Sequence, residues 1–209
     1  FYPLIGGMEN YVCRLASLQS GIGYDVDVLT LDRNLISGEY LDDGQVENFV
    51  VHRVSFSGSR KFFLPKIGKF DFSLYDIVHI HGVDSFFDLI PLCINKSKAK
   101  IYATTHGGFF HTRDYYVIKQ IYFYLITKYS ARKYDKLIAC SYSDFDNFTK
   151  LSANIEVVEN AVDAFGNYVQ GDDFLYVGRL SNNKGIFQLV EKFKGYIDAG
   201  GLGNLYIVG

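Results

Sequence analysis

The 209-residue sequence contains no tryptophan, one methionine, three prolines and three cysteines. The cysteines are far apart, and none stands in a CxxC or Cys/His spacing, so the sequence indicates neither a disulfide framework nor a cysteine-bound zinc. Each lies among apolar residues, which predicts buried thiols in a reducing cytosol. These residues are Cys13, Cys93 and Cys140.

The sequence also lacks an excess of positive charge and a long apolar run. Its net charge is −2 and its pI is about 6.2, which argues against a nucleic-acid-binding protein. No apolar run approaches the roughly 20 residues that a transmembrane helix needs. The sequence begins with Phe1 rather than methionine and closes on LYIVG, which resembles a strand, so we expect a fragment truncated at both ends.

Strand-like and helix-like segments alternate along most of the sequence. Short apolar runs such as YDIVHIHG, KIYATTHG and KLIACS predict buried strands, and the segments between them have helical spacing. One short helix, SDFDNFTKLS, is expected to start with Ser143 as its N-cap. Crossovers of this length predict an α/β fold with a doubly wound parallel sheet. Ligands bind such sheets at the carboxyl ends of the strands.

A polar, glycine-containing stretch over residues 164–173 interrupts this alternation. Such stretches are typical of domain boundaries. We therefore predict a first domain over residues 1–165 and the start of a second over residues 166–209. A hydrophobic content of 48% over 209 residues is enough for one large domain and part of another.

Two motifs place glycine or cations before a predicted helix. Gly6 and Gly7 precede the first helix, where glycines let backbone amides approach an anion, provided that a strand comes before them. In GRLSNNKG, Arg179 and Lys184 flank a polar loop ahead of another helix, an arrangement that suits a diphosphate. Taken alone, a simple turn explains the glycines and a solvated loop explains the cations.

Two successive predicted strands end in histidine followed by glycine, at His81 in HIHG and at His106 in TTHGG. A single histidine at a strand end is usually structural, but two such ends indicate a cleft at the edge of the sheet. Zinc fits poorly, because no nearby Cys or Glu completes a ligand set. The sequence also offers no defensible Ser/His/Asp order of a hydrolase.

Two segments combine cations with aromatic and aliphatic residues. Residues 59–70 read SRKFFLPKIGKF, and a long predicted helix, YYVIKQIYFYLITKYSARKYD, carries several cations near its end. Cations beside exposed apolar residues dock on anionic membrane surfaces. For residues 59–70, membrane contact and an irregular covering loop are equally good explanations, whereas ordinary packing is the better one for the helix.

Taken together, the motifs resemble those of glycosyltransferase family four. The matching pieces occur in the family's order over nearly the whole sequence: PLIGGMEN, YDIVHIHG, TTHGG, KLIACS, VVENAVD and FLYVGRLSNNKG. TTHGGFFHT is similar to mannosyltransferases that build lipid-linked bacterial polysaccharide repeat units. The resemblance implies the GT-B fold of two facing Rossmann-like domains, of which the second is only begun here.

The resemblance also implies roles for individual residues. His106 would be the catalytic histidine and contact the donor sugar, and Gly6 and Gly7 would let backbone amides approach the diphosphate. Arg179 and Lys184 would hold that diphosphate and stabilise the leaving group. Neither a metal nor a cofactor is expected, because the cations take the place of the metal. From position, we assign to the acceptor side His81, His111, Arg113 and Asp114.

The implied function is retaining transfer of a hexose in cell-surface polysaccharide biosynthesis. GDP-mannose is the first choice of donor and a UDP-hexose the second, with a glycan or polyprenyl-diphosphate-linked glycan as the acceptor. Such an enzyme would work in the cytoplasm, at the inner face of the cell membrane. The family's Glu-x7-Glu motif would lie beyond Gly209, so the fragment alone is expected to be inactive.

Three other functions remain open at this point. One is a non-transferring GT-B protein such as a nucleotide-sugar epimerase, which GRLSNNKG and VVENAVD argue against. Another is a nicotinamide-binding Rossmann protein, whose GxGxxG motif the sequence does not contain. The third is a non-catalytic fragment that binds a sugar nucleotide.

Overall fold

The chain divides into two compact units, Phe1–Ala161 and Val162–Gly209. The structure is a computed structural model. Apart from the side chain of Tyr116, it describes residues 1, 3, 6–59, 62–94, 98–107, 116–152, 154–161, 166, 171–178, 180 and 184–209.

The first unit opens with a helix and six successive strands that have no α-helix between them in the described residues, and only after these do strands and helices alternate as predicted. Its strands are β1 (Asp27–Leu31), β2 (Gly44–Val46), β3 (Phe49–Val54), β4 (Phe56–Ser59), β5 (Phe62–Pro65), β6 (Ile77–His81), β7 (Lys100–Thr104), β8 (Lys136–Ala139) and β9 (Ile155–Val157). Its α-helices are α1 (Gly7–Gly21), α2 (Ser85–Cys93), α3 (Tyr116–Tyr122), α4 (Lys128–Ala131) and α5 (Tyr142–Phe148). A π-helical segment, Phe123–Thr127, joins α3 to α4.

A parallel sheet of order β6-β7-β8-β9 lies at the centre of this unit. Apolar residues of its first three strands form much of the core, with Ile80 4% exposed and Ile101, Ala103 and Leu137 all 0% exposed. Parallel strands that are covered on both faces have nearly continuous apolar sequences, which is why the sequence pattern locates them. The predicted Rossmann-like α/β fold is confirmed for the first unit.

The core packs the helices against this sheet through aromatic rings. Phe87 of α2 is fully buried, stacks on Tyr134 with 4.6 Å between ring centroids, and meets Phe148 edge-on at 6.4 Å. The Tyr134 hydroxyl donates a hydrogen bond to the Phe87 carbonyl at 2.7 Å, so this buried polar group has a partner. One ring of α2 thus fixes this helix to Tyr134, two residues before β8, and to α5.

A second sheet, of order β1-β3-β2, departs from the all-parallel prediction. β1 runs parallel to β3, but β2 is antiparallel to β3. Only Glu47 and Asn48 connect β2 to β3, and a two-residue connection makes a hairpin rather than a crossover. Glu47 has a φ of +52°, the left-handed backbone that such tight turns require.

Residues 59–70, predicted to be irregular, contain most of a second hairpin. β4 and β5 pair antiparallel, and exposed Phe62 and Leu64 alternate with buried Phe63 and Pro65 at the two-residue period of a strand. The hydroxyl of Ser85 donates to the Phe63 carbonyl, which holds the hairpin against α2. A short 3-10 turn, Ile67–Lys69, follows.

Two local predictions are wrong. Helix α5 starts after Ser141, whose hydroxyl accepts a hydrogen bond from the Asp144 amide at 3.2 Å, so Ser141 rather than Ser143 is the N-cap. The helix starts this early because the chain turns into it directly from β8. Of the three cysteines, Cys93 is exposed, because it is the last residue of α2, and the other two are half-buried.

The long helix predicted after the TTHGG motif is present over 116–131 but is only partly used for packing. Its inner side buries Phe123, Thr127, Ser130 and Ala131, whereas most of its other apolar residues face solvent. The expectation of ordinary packing therefore accounts for one side of the helix. No helix in the described part of the chain has the length and apolarity required to cross a bilayer.

The second unit contains a strand, a helix and a strand. β10 (Phe174–Val177) pairs in parallel with β11 (Leu205–Val208), and α6 (Ile186–Asp198) connects them. Gly185, just before α6, has a φ of +68°, a left-handed backbone that glycine adopts without strain. A parallel strand pair with a helical crossover is the repeating element of a Rossmann-like domain.

We expect Phe87→Ala to lower the free energy of unfolding by about 3–5 kcal/mol, because it leaves a cavity between the rings of Tyr134 and Phe148. The matched control is Phe62→Ala, since Phe62 is 55% exposed and its loss should cost less than about 1 kcal/mol. Urea denaturation of the full-length protein measures both. Equal losses in the two variants would contradict the placement of Phe87 in the core.

Candidate functional site

The carboxyl ends of β6 and β7 carry a cluster of histidines. The register pairs His79 with Tyr102 and His81 with Thr104. Residues two apart on a strand face the same side of the sheet, so His79 and His81 share a face. His106 follows β7 by two residues and reaches the same place from the neighbouring strand.

The imidazoles are in direct contact. His81 Nδ1 lies 2.9 Å from His106 Nε2, a hydrogen bond in which one ring donates and the other accepts. The ring centroids of His79 and His81 are 4.2 Å apart, and His79 Nε2 lies 2.8 Å from the Thr104 hydroxyl. Among the described residues, no three His, Cys, Asp or Glu side chains are grouped so as to hold a metal ion.

Burial lowers the pKa of all three imidazoles. It brings the pKa of His79 to about 4, with the charge of His106 adding to the effect. Burial brings the pKa of His81 to about 2, helped by both neighbouring histidines. The pKa of His106 is also lowered by burial, against the opposing influence of the Asp144 carboxylate. The rings are therefore neutral at pH 7 and able to exchange hydrogen bonds with hydroxyl groups.

Helix α1 brings two side chains to the cluster. Tyr11 meets His106 edge-on with 5.0 Å between ring centroids, and it meets His81 at 6.0 Å. Met8 lies one turn earlier against Gly82, where an added Cβ would come within 3.2 Å of the Met8 sulfur. Gly82 also has a φ of +94°, so both the backbone and the available space favour glycine directly after His81.

Asp144 of α5 holds the loop around His106. Its Oδ2 accepts hydrogen bonds from the Thr105 hydroxyl at 2.5 Å and from the Gly107 amide at 2.7 Å, on either side of His106. His106 itself has a φ of +49°, which costs on the order of 1 kcal/mol or more in a residue with a side chain. The two hydrogen bonds to the carboxylate offset that cost and fix the direction of the imidazole.

The predicted glycines lie at the start of the helix that carries Tyr11. Gly6 is the N-cap of α1 and Gly7 is its first residue. The Glu9 carboxylate lies over Gly6, in the space that a side chain on residue 6 would take. An anion bound at this helix start would therefore displace Glu9.

The structure brings together two of the predicted site residues, His81 and His106. Lys184 is exposed in the second unit, two residues before α6. The remaining predictions lie outside the described residues and stay predictions: His111, Arg113, Asp114 and Arg179.

Three residues of the candidate site were not predicted from the sequence. His79 had a usable signal, because the alternation in HIH places it on the same face as His81. Tyr11 and Asp144 had none, since each comes from a helix far from the histidines in sequence and meets them only through packing.

The sequence model of Glycosyltransferase Family 4 matches residues 5–164. The chain belongs to glycosyltransferase family 4. The match includes α1, the whole of β1 to β9 and both strand ends that carry the histidine pair. The family resemblance inferred from the motifs is thereby confirmed.

Three relatives have the same name, GDP-mannose:cellobiosyl-diphosphopolyprenol alpha-mannosyltransferase. The chain is 34% identical to that of Xanthomonas oryzae pv. oryzae (strain PXO99A) over 198 residues, 90% of this chain and 52% of the relative. It is 34% identical to that of Xanthomonas campestris over 201 residues, 91% and 53% of the two proteins. It is 33% identical to that of Komagataeibacter xylinus over 207 residues, 94% and 53%. The chain thus spans about half the length of these curated relatives.

The depressed pKa values predict a loss of stability in mild acid. Between pH ~6.5, where an unfolded histidine titrates, and pH ~4, where folded His79 does, the unfolded chain binds more protons, so stability falls as the pH falls. We expect His79→Gln to reduce this dependence by about 1 kcal/mol per pH unit. The measurement is urea denaturation of the full-length protein from pH 7 to pH 5.

The comparison with the parent protein removes contributions common to both. Asp84 has the opposite effect in this pH range, because burial raises its pKa to about 6. It is present in both proteins and cancels in the difference. Stability curves that run parallel for His79→Gln and its parent would show that His79 does not titrate with a lowered pKa.

We expect Asp144→Ala to release the loop around His106. The Gly107 amide loses its acceptor at 2.7 Å, so its hydrogen exchange should accelerate at least about tenfold. The pKa of His106 should fall further, because the carboxylate that raises it is gone. Amide exchange and imidazole titration by NMR measure both effects, with Asp146→Ala, on the same helix, as the control. Unchanged exchange at Gly107 would refute this role of Asp144.

Proposed function

We propose that the full-length protein is a retaining mannosyltransferase that transfers mannose from GDP-mannose to a polyprenyl-diphosphate-linked glycan. The observation that carries the proposal is the neutral His81–His106 pair at the carboxyl ends of adjacent parallel strands, in a chain of a glycosyltransferase family. The names of the three relatives specify this donor and a cellobiosyl acceptor on a diphosphopolyprenol. They favour GDP-mannose over a UDP-hexose.

In this proposal His106 binds the donor sugar. Its Nε2 is engaged with His81 at 2.9 Å, so its other ring nitrogen, Nδ1, is the one assigned to a sugar hydroxyl. His81 then acts by selecting the tautomer and fixing the orientation of the ring. The neutral state suits this task, because a neutral imidazole both donates and accepts hydrogen bonds.

The proposed transfer breaks one bond and makes one. The bond between mannose C1 and the diphosphate oxygen breaks, and a bond from C1 to an acceptor hydroxyl oxygen forms on the same face of the sugar. The proton of that hydroxyl passes to an oxygen of the departing diphosphate. We assign to Arg179 and Lys184 the stabilisation of the negative charge that develops on the diphosphate. The backbone amides at Gly6 and Gly7 are further hydrogen-bond donors in this proposal.

The domains divide these tasks. Residues 1–165 are assigned to the acceptor side, with His81, His111, Arg113 and Asp114 nearest the acceptor. Residues 166–209 begin the domain that binds the nucleotide. This assignment rests on the strand–helix–strand element of the second unit, at whose helix start Lys184 stands.

A lipid-linked acceptor would place the enzyme in the cytoplasm, at the inner face of the cell membrane. Peripheral contact through residues 59–70 is part of the proposal. Its support is the exposure of Phe62 and Leu64 in β5 and of Lys66 and Lys69 just after it. Phe63 and Ile67 of the same segment are buried in the core and take no part.

We expect His106→Ala to lower kcat by roughly 100-fold or more, because the donor sugar loses a positioned hydrogen bond near the reacting carbon. The control is His52→Ala, on β3 of the other sheet, where the imidazole bonds Asp27 at 3.1 Å. Steady-state transfer by the full-length protein measures both, and circular dichroism checks that each is folded. A folded His106→Ala variant with parental kcat would exclude this role.

The function itself is tested by supplying GDP-mannose or UDP-glucose together with cellobiosyl-diphosphopolyprenol. Transfer from GDP-mannose that yields the α-linked mannoside supports retaining mannosyl transfer. Transfer from the UDP-sugar alone would replace the donor assignment. Binding of GDP-mannose without transfer by the full-length protein would make it a sugar-nucleotide-binding protein instead.

A further inference from the structure

The segment from α3 to α4 exposes a continuous stripe of apolar side chains. Its residues recur at helical spacing, and each of them is at least 44% exposed. Over this span a helix rises by about 18 Å. The apolar stripe consists of Val117, Ile118, Ile121, Tyr124, Leu125 and Tyr129.

This exposure is the reverse of what a surface helix normally shows. The opposite side already provides the packing contacts, because Phe123, Thr127, Ser130 and Ala131 are buried in the core of the first unit. A helix that is apolar on both sides is typical of one that is covered on both sides. Contiguous exposed apolar patches on soluble proteins mark interaction surfaces.

The charge of the segment restricts what can cover the stripe. Residues 116–134 contain four cations, Lys119, Lys128, Arg132 and Lys133, and no Asp or Glu. Lys133 Nζ lies 5.1 Å from the centre of the Tyr129 ring, beside the end of the stripe. An apolar stripe with cations alone at its margin matches an anionic, partly apolar surface.

An open hollow at α4, the C-terminal end of this helical segment, is also lined by cations without carboxylates. Lys128 and Arg132 line it together with Lys150, which stands two residues after α5, and its other lining residues are neutral. Three cations without a carboxylate among them suit a phosphate group. The hollow and the apolar stripe share the α4 turn, so one partner would contact both.

We propose that this face docks on an anionic lipid bilayer, with the apolar stripe in the acyl boundary and the cations among the phosphates. The link to the acceptor rests on the proposed function, in which the glycan is carried by a lipid diphosphate. A bilayer offers both features, since its apolar region lies beneath its phosphates. The face is separate from residues 59–70, where only two apolar side chains are exposed among the described residues.

The test is co-sedimentation of the full-length protein with vesicles, in the absence of sugar nucleotide. Vesicles of phosphatidylcholine alone are compared with vesicles that contain phosphatidylglycerol at roughly three parts in ten. We expect binding to the anionic vesicles, weakened by salt, and a partition coefficient at least about tenfold lower for Ile118→Ser/Leu125→Ser. Lys128→Gln/Arg132→Gln should lose most of the preference for phosphatidylglycerol.

The matched control replaces two equally exposed apolar residues elsewhere in the unit. Ile36 and Leu74 are 76% and 78% exposed, so Ile36→Ser/Leu74→Ser removes similar surface and should bind vesicles like the parent. Equal partition of the stripe variant and the parent would overturn the proposal, as would a parent that does not bind. If the stripe variant instead turns a dimer into a monomer in analytical ultracentrifugation, a second copy covers the face and the proposal fails.

The vesicle assay and the transferase assay fail independently. Ile118 and Leu125 have no assigned part in transfer, so the stripe variant should keep the parental rate with an acceptor analogue in free solution. Vesicle binding without any transfer would retain the docking surface and remove the proposed function. Transfer without vesicle binding would retain the proposed function and remove the docking surface.

Discussion

The parallel pairing of β6 with β7 is the constraint on which the candidate site depends. Its register sets His81 opposite Thr104, so both strands end at one level and His106 meets His81 at 2.9 Å. A one-residue slip of β6 would turn His81 to the other face of the sheet. The complete burial of Ile101 and the near-complete burial of Ile80 make such a slip costly. The packing of the sheet therefore determines the chemistry at its edge.

The next strand of the sheet supplies the second support. β8 ends at Ala139, and the chain turns through Ser141 into α5, which carries Asp144 to the loop after β7. Asp144 stands in the first turn of α5, where the helix dipole favours a carboxylate, and it accepts two hydrogen bonds around His106. The left-handed backbone of His106 thus depends on β7 and β8 being neighbours, as well as on the glycine that follows it.

The sequence predicted what has a local cause and missed what depends on distant contacts. The strands that lead to His81 and His106 belong to a parallel sheet and have short, nearly continuous apolar runs, which are visible without a structure. The hairpin that contains Phe63 was missed, because lysines and aromatic residues obscure its two-residue period. Asp144 could not be found, since its bond to the Gly107 amide spans 37 residues and two elements. Ser141 and Ser143 are equally good N-caps in sequence, and only the end of β8 decides between them.

The position of the helix with the apolar stripe follows from the same strand end. Tyr116, where α3 begins, follows Gly107 by nine positions, and nine residues reach at most about 30 Å when fully extended. The start of α3 therefore lies within about that distance of the loop that carries His106, in the same compact unit. In the proposed function the acceptor glycan is attached to a lipid diphosphate and stays close to the bilayer surface. A protein docked on that surface through α3 and α4, as proposed, would keep its histidine pair near such an acceptor. An apolar stripe on an element remote from β7 would not be tied to the histidine pair in this way. The short connection from β7 to α3 therefore supports the proposal that the exposed side of this helix is a docking face.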